Sequence, residues 1–412
     1  MKILLAHNFY RSSAPSGEDT VYRNERTLLE ANGVEVIHYE SFNDDIDEST
    51  FAKRVRLALN GAWSRQTYDE LSALIVKTQP DLAHFHNTFP LITPSAWAAC
   101  RDNGVPVVQT LHNFRFICPG ALLMRQGRPC EECVGTSLAP ALRHRCYRGA
   151  LLATLAQVWT IFANRRRGSY GNLVDRYVAL TRFAAGRFIA GGLPRGRLTV
   201  LGNFLLDPPP PGAGDGGYAI FVGRLSEEKG VRTLLASWEQ LRDIPLKIVG
   251  DGPLKGELEE IARRGDLPVE FLGFRPREEV MPLMGRALLQ VIPSECYEGF
   301  PLTVLEAWAG GTPVVASRLG GLDEIVEEGV TGVKFTPANP ADLADKVRRL
   351  VHNYGGARRF RQRVRRNFEL HFSPCAHFDR LREIYAEAIM HSSRSRRRRP
   401  FPRLDLKGIP CP

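Results

Sequence analysis

With 412 residues, 43% of them hydrophobic and 24% charged, the chain exceeds what one hydrophobic core organises, and its composition excludes a disordered or fibrous protein. The formal charge of +10 is unevenly placed. Residues 391–412 carry seven basic side chains (Arg394, Arg396, Arg397, Arg398, Arg399, Arg403 and Lys407) against Asp405 alone, and so hold six of the ten net charges. That segment reads as a disordered basic tail, suited to anionic lipid headgroups, to weak sequence-blind nucleic-acid binding, or to no dedicated partner. It does not argue for specific nucleic-acid recognition.

Taken in chain order, the opening Met-Lys-Ile-Leu-Leu-Ala reaches His7 and Asn8 too soon for a secretion signal, which predicts a cytoplasmic protein. Strand patterns follow at 2–6, 34–39, 81–85, 105–110 and 177–180, with helical periodicity between them at 18–31 and 95–101. The apolar run 151–163 is too short to span a bilayer. Arg143, Arg145 and Arg148 precede it and Arg165, Arg166 and Arg167 follow it, which suits either a core helix or one lying on the inner membrane face. Residues 201–217 include four consecutive prolines and a glycine-rich stretch, the pattern of a linker. Strands recur at 219–222, 246–249, 269–272, 288–292, 313–316 and 332–335, alternating with helices such as 231–241 and 254–263. Two parallel α/β sheets are predicted, in domains 1–200 and 218–374, with a final helix over 375–390 and the tail over 391–412.

In parallel sheets the loops at the carboxyl ends of strands carry the chemistry. Phe221-Val-Gly-Arg-Leu-Ser-Glu-Glu-Lys-Gly230 sets Arg224 and Lys229 before a helix, an arrangement suited to a diphosphate. Val249-Gly-Asp-Gly-Pro253 is a glycine turn of a common structural kind. In the loop after 288–292, Glu298 falls in the turn and Glu306 in the second turn of a helix starting near Pro301. The two carboxylates therefore meet different parts of one ligand, while the amides of Gly299, Phe300 and Leu302 face its phosphate. Asp45-Ile-Asp47 spells a D-x-D triplet but lies in an acidic surface stretch without phosphate-binding company.

Four of the eight cysteines, Cys118, Cys130, Cys133 and Cys146, fall within a 29-residue insertion built around one C-x2-C pair. Four thiolates suit a tetrahedral structural zinc; an iron–sulfur cluster and reduced, unligated thiols are the alternatives.

The chain resembles glycosyltransferase family 4. The resemblance rests on residues 221–230, on Glu298 and Glu306 as an E-x7-E signature followed by Ala307-Trp-Ala-Gly-Gly-Thr-Pro, and more thinly on Ser16-Gly17 and Thr110-Leu-His-Asn113. It implies a GT-B architecture, two Rossmann-like parallel-sheet domains facing across a cleft, with the last helix returning to the first domain. It also implies retaining transfer of a sugar from a nucleotide-diphosphate donor. Arg224 and Lys229 would neutralise the diphosphate in place of a metal, Glu298 would hold donor-sugar hydroxyls and Glu306 the ribose. Gly17 would approach the phosphates, and His112 would contact the transferred sugar. Many members carry two glycines where this chain has Ser16-Gly17. The acceptor implied is a glycan, a lipid-linked sugar or a small molecule, as in cell-surface polysaccharide synthesis. Glu298 or His112 acting as base or nucleophile, a sugar-nucleotide epimerase or hydrolase on the same scaffold, and a nucleic-acid-binding protein using the cysteines and the tail are the competing readings.

Overall fold

The computed structural model describes residues 1–13, 16–47, 49–354 and 358–395; of the segment 391–412 read as a disordered tail, 391–395 instead continue the final helix, with Ser392 buried, and the remainder lies outside the described residues, as does Pro15 of the first loop. The chain forms two compact units. The first comprises Met1–Leu122, Glu132–Gly202 and the chain from Pro374; the second comprises Leu123–Glu131 and Asn203–Ser373.

The strands in chain order are β1 (Lys2–Phe9), β2 (Glu35–Phe42), β3 (Leu82–Phe85), β4 (Val107–Leu111), β5 (Met124–Arg125), β6 (Arg128–Pro129), β7 (Arg176–Ala179) and β8 (Leu198–Val200). In the second unit they continue as β9 (Ala219–Val222), β10 (Leu246–Val249), β11 (Val269–Gly273), β12 (Leu289–Ile292), β13 (Val314–Ser317) and β14 (Gly332–Phe335). The first unit's sheet has the order β2-β1-β3-β4-β7-β8 and the second β11-β10-β9-β12-β13-β14, both parallel throughout. β5 and β6 form a small antiparallel hairpin grouped with the second unit.

The inner strands are buried on both faces, as covered parallel sheets require: every residue of β3, β4, β12 and β13 is buried. β8, a three-residue edge strand only partly buried, has no counterpart in the sequence pattern because it is too short to show periodicity. Both sheets change direction at one point. In the first, the chain builds β2 on one side of β1 and then crosses to β3 on the other; in the second it builds β10 and β11 on one side of β9 and crosses to β12. Ligands of such sheets bind beyond the carboxyl ends of the strands at these switch points.

Local chemistry sets the elements that frame them. Ser16 caps helix Gly17–Ala31: its hydroxyl accepts the Glu18 amide at 3.3 Å, while the Asp19 carboxylate accepts the Ser16 amide at 3.2 Å. A glycine at position 16 could not do this, which gives the Ser16-Gly17 departure a physical role. The final helix, Pro374–Ser395, packs on helix Gly17–Ala31, β4 and β7 within the first unit.

In the second unit the glycine-rich half of segment 201–217 is hydrogen-bonded down along its length. The amides of Gly212, Gly214 and Gly216 donate to the carbonyls of Gly310, Gly285 and Arg286 at 2.9, 3.1 and 2.8 Å. A Cβ on Gly212 would stand 2.1 Å from the Gly285 oxygen, so only glycine permits this approach.

Candidate active site

The second unit's switch point is assembled by glycine. Gly230 has a left-handed backbone (φ 65°), and a Cβ there would lie 1.9 Å from the Pro293 oxygen. This contact draws the loop after β9 against the loop after β12. Lys229 Nζ consequently donates to Glu298 Oε1 at 2.7 Å, and Ser294 Oγ donates to the same oxygen at 2.6 Å. Burial opposes both charges, but each outweighs it for the other: Glu298 stays below the usual carboxylate range and Lys229 above its ordinary value.

Gly250 and Gly252 pack on the same loop from the other side. A Cβ on the first would meet the Gly223 oxygen at 1.9 Å, and one on the second would meet the Leu225 oxygen at 2.4 Å. These glycines serve backbone-to-backbone packing.

Arg224 is exposed beyond the end of β9. Helix Leu302–Ala309 begins at Pro301, leaving its first amides without intrahelical acceptors beside Gly299 and Leu302. Phe300 is buried, and its carbonyl accepts Asn203 Nδ2 at 2.8 Å. Glu306, one turn into the helix, is pushed up by burial against the opposing pull of Arg277, whose Nε lies 3.5 Å from Oε1.

In the first unit the carboxyl ends of β1, β3 and β4 bring His7, His86 and His112 together. His86 Nδ1 lies 3.0 Å from His112 Nε2, and the two rings stack at 5.2 Å. Burial, with His86 and His7 adding to it, holds His112 well below the ordinary imidazole range, so it is neutral at neutral pH.

A pocket of about 560 Å³, counted with its open mouth, is lined by Glu18, Asn87, His112, Asn113, Arg115 and Gln157 among others. Glu18 accepts Asn113 Nδ2 at 2.9 Å and Tyr10 Oη at 3.1 Å, and burial raises its carboxyl above the usual range. Arg115 stacks over Phe89 at 4.1 Å, with Nε and Nη1 buried and lacking a hydrogen-bond partner among the described residues. Such a pocket can bind hydroxyls and an anionic group, and burial makes its one carboxyl easier to protonate than an exposed one.

Residues 17–205 match the family profile described as Glycosyltransferase Family 4, and residues 216–353 match Glycosyl transferases group 1. The chain belongs to glycosyltransferase family 4. It is 38% identical over 160 residues to a glycogen synthase of Mycobacterium tuberculosis, an alignment covering 36% of this chain and 38% of that one. The chain spans about two fifths of the length of the first curated relatives it matches. Among solved structures it resembles Anabaena HepE in complex with UDP (TM-score 0.65, 19% identity, 94% of this chain and 100% of that one). It also resembles a sucrose-phosphate synthase from Thermosynechococcus elongatus (TM-score 0.69, 18% identity, 95% and 99%). The likeness is one of fold, two parallel-sheet α/β units of the GT-B class.

Of the residues singled out from the sequence of this family member, Lys229 and Glu298 meet directly. Arg224, Gly299, Phe300, Leu302 and Glu306 belong to loops and a helix start of the same unit. Gly17 and His112 lie in the first unit, at the start of helix Gly17–Ala31 and after β4. Asp47 pairs with Lys53 and accepts the Ser49 amide on an exposed surface, the local arrangement of a solvated loop.

Glu18, Glu25, His86, Arg115, Arg277 and Ser294 were not anticipated. A signal existed for one of them: His86 alternates with His84 through the end of a strand that is otherwise apolar, and polar side chains there need buried partners.

Proposed function

We propose that this chain is a retaining glycosyltransferase that moves a sugar from a nucleotide-diphosphate donor to an acceptor hydroxyl without a catalytic divalent cation. The observation carrying this reading is the Lys229–Glu298 pair at the second unit's switch point, with Arg224 exposed on the loop that carries Lys229 and a helix starting shortly after Glu298. A diphosphate there meets two cations and uncommitted amides. When the bond from the anomeric carbon to the β-phosphate oxygen breaks, these groups stabilise the charge left on the phosphate. The acceptor oxygen bonds to the same face of that carbon, and its proton passes to the departing phosphate. Glu298 accepts donor-sugar hydroxyls, Glu306 accepts ribose hydroxyls, and His112 contacts the transferred sugar.

Calorimetric titration with UDP-, GDP-, ADP- and dTDP-sugars in the absence of divalent metal tests this reading. Binding of one donor, weakened in Glu298→Ala and Glu306→Ala, supports it, and no binding across the panel refutes it. Because HepE was crystallised with UDP, uridine donors come first in the titration.

The acceptor belongs to the polar pocket of the first unit, and a lipid-linked sugar suits its surroundings. Helix Leu151–Arg167 lines that pocket with Gln157 and Thr160 and exposes Leu151, Leu152, Leu155, Trp159 and Phe162 on its outer side, with arginines at either end. No helix among the described residues is long and apolar enough to cross a membrane. Exposed apolar side chains flanked by cations match an anionic membrane surface, and a cytoplasmic, peripheral location follows. Wild type should sediment with vesicles containing anionic lipid, and Leu152→Glu/Trp159→Glu should not; equal sedimentation would remove the membrane from this reading.

A structural zinc on the insertion completes the proposal. Cys118 Sγ and the Cys146 backbone flank Gly120, standing 3.8 and 3.3 Å from where its Cβ would be, and Cys133 packs on the same small apolar cluster as Cys146. Cys130, three residues before Cys133, supplies the fourth thiolate by its place in the C-x2-C pair. The purified protein should contain about one zinc per chain, and a chelator should lower its melting temperature. Metal-free protein of unchanged stability would dismiss the site.

A further inference from the structure

A buried chain of hydrogen bonds in the first unit ends at His112, and its other members have no role in the transfer chemistry above. At its centre is Glu25, on helix Gly17–Ala31. Glu25 Oε1 lies 3.1 Å from His86 Nε2 and 2.8 Å from His84 Nδ1, and Oε2 lies 3.5 Å from His377 Nε2 on the final helix. The other edge of His86 faces His112, Nδ1 to Nε2 at 3.0 Å. The neighbours are themselves engaged: His7 pairs with Asp19 at 2.8 Å, Tyr22 meets the His86 ring edge-on, and Tyr385 Oη lies 2.9 Å from His84 Nδ1.

The direction of every hydrogen bond in this chain follows from its ends. Glu25 is fully enclosed, yet His84, His86 and His377 outweigh burial and hold it well below the carboxylate range, so it is ionised. An ionised carboxylate only accepts, so His86 Nε2 carries the proton. Burial holds His86 below the ordinary imidazole range despite Glu25, so the ring is neutral and its Nδ1 has only a lone pair to offer. The contact with His112 is then possible only if His112 Nε2 donates. A neutral His112 with its proton on Nε2 has a bare Nδ1.

We propose that Glu25 and His86 are positioning residues that lock His112 as the Nε2–H tautomer, leaving Nδ1 to accept a hydrogen bond from a substrate hydroxyl in the pocket His112 lines. The substrate half rests on the sugar-transfer reading; the tautomer half does not. An accepting nitrogen draws the hydroxyl proton toward itself and enriches the hydroxyl oxygen in electron density, which favours the positive charge that develops on the sugar ring as the phosphate leaves. The opposite tautomer would present a donor and orient the same hydroxyl the wrong way.

Long-range ¹H–¹⁵N correlation spectra of the full chain labelled at histidine, assigned by single substitutions, read the tautomer directly. The expected wild-type result is a pyridine-like Nδ1 and a pyrrole-like Nε2 at His112. Glu25→Gln preserves shape but allows an amide to donate to His86 Nε2, and should average or invert the nitrogen signals of His86 and His112 together. In that variant kcat should fall at least about 10-fold while donor affinity stays within about 2-fold, with partial recovery in Glu25→Asp. A pyrrole-like Nδ1 at His112 in wild type, or unchanged signals in Glu25→Gln, would overturn the proposal. So would a stoichiometric metal ion on Glu25, His84 and His86, whose ligand atoms lie within 4.8 Å of one another. If Glu25→Gln does not fold, the wild-type spectrum decides alone. The predicted tautomer in a protein that binds no nucleotide sugar would leave the relay standing and refute the transferase reading instead.

Discussion

Lys229→Ala is expected to abolish measurable metal-free donor binding and to destabilise the second unit at the same time. The ammonium is the partner of a Glu298 side chain only 12% exposed, and its removal leaves that carboxylate with Ser294 alone. Stranding a largely buried charge costs about 3 kcal/mol, reduced here because Lys229 itself is 30% exposed. Loss of the cation also removes about 2–3 kcal/mol of stabilisation from the departing diphosphate, roughly 30- to 150-fold in kcat/KM.

The double variant Lys229→Met/Glu298→Gln separates these effects. It should recover most of the melting temperature, because no charge is stranded, and none of the turnover. Turnover near wild type in the double variant would sink the assignment of the site. The pair also has a defined pH range. Glu298 is held below its unfolded value of 4.5, so its contribution to stability is fully present above that pH and is lost as pH falls through the folded value. Donor binding should therefore tolerate mild acid.

The second large effect is expected at a residue with no chemistry at all. Arg361, on helix Arg358–His371, turns its guanidinium into the second unit, where Nη2 donates to Gly285 O at 2.7 Å and Thr312 Oγ1 at 2.9 Å, and Nη1 to Ala287 O at 3.0 Å. Burial lowers its pKa to about 10, so the group remains charged at neutral pH. These carbonyls lie along the seam where glycines 212, 285 and 310 bring three backbone segments together, so closely at Gly212 that a Cβ would stand 2.1 Å from Gly285 O. Arg361→Met keeps the stem but takes from Ala287 O its guanidinium donor and leaves Gly285 O and Gly310 O with one amide donor each; at about 1–3 kcal/mol for an unpaired acceptor and less for a weakened one, a loss of about 3 kcal/mol is expected. Arg361→Lys should fall between, since one ammonium cannot reach acceptors spread over a planar fork. Urea denaturation measures this, and Arg361→Met within about 1 kcal/mol of wild type would show that the seam closes without the guanidinium.

Much of this protein is legible in its sequence. Alternation of apolar strand runs with helical periods predicts two parallel sheets because buried parallel strands leave a continuous hydrophobic signature. The loop 221–230 and the Glu298/Glu306 spacing are local patterns that a strand–loop–helix junction imposes within a few residues. The positions of Gly17, Arg224, Glu306 and His112 at such junctions follow from the same local logic.

What only the tertiary structure decided is which junctions meet. Lys229 and Glu298 are 69 residues apart and touch because β12, not β10 or β11, lies on the open side of β9. Glu25 finds His86 61 residues later, and His84 finds Tyr385 after 301, through a final helix whose return to the first domain the family resemblance implied but whose partners it did not name. Glycine in a turn reads the same whether its open side faces a ligand or another backbone, so Gly230, Gly250 and Gly252 yielded their role only once a Cβ could be placed against its neighbours. Secondary structure and loop chemistry are set by contacts a few residues long, which sequence encodes directly. Strand order and buried ion pairs are set by contacts between distant segments, and those are selected only when the whole core closes.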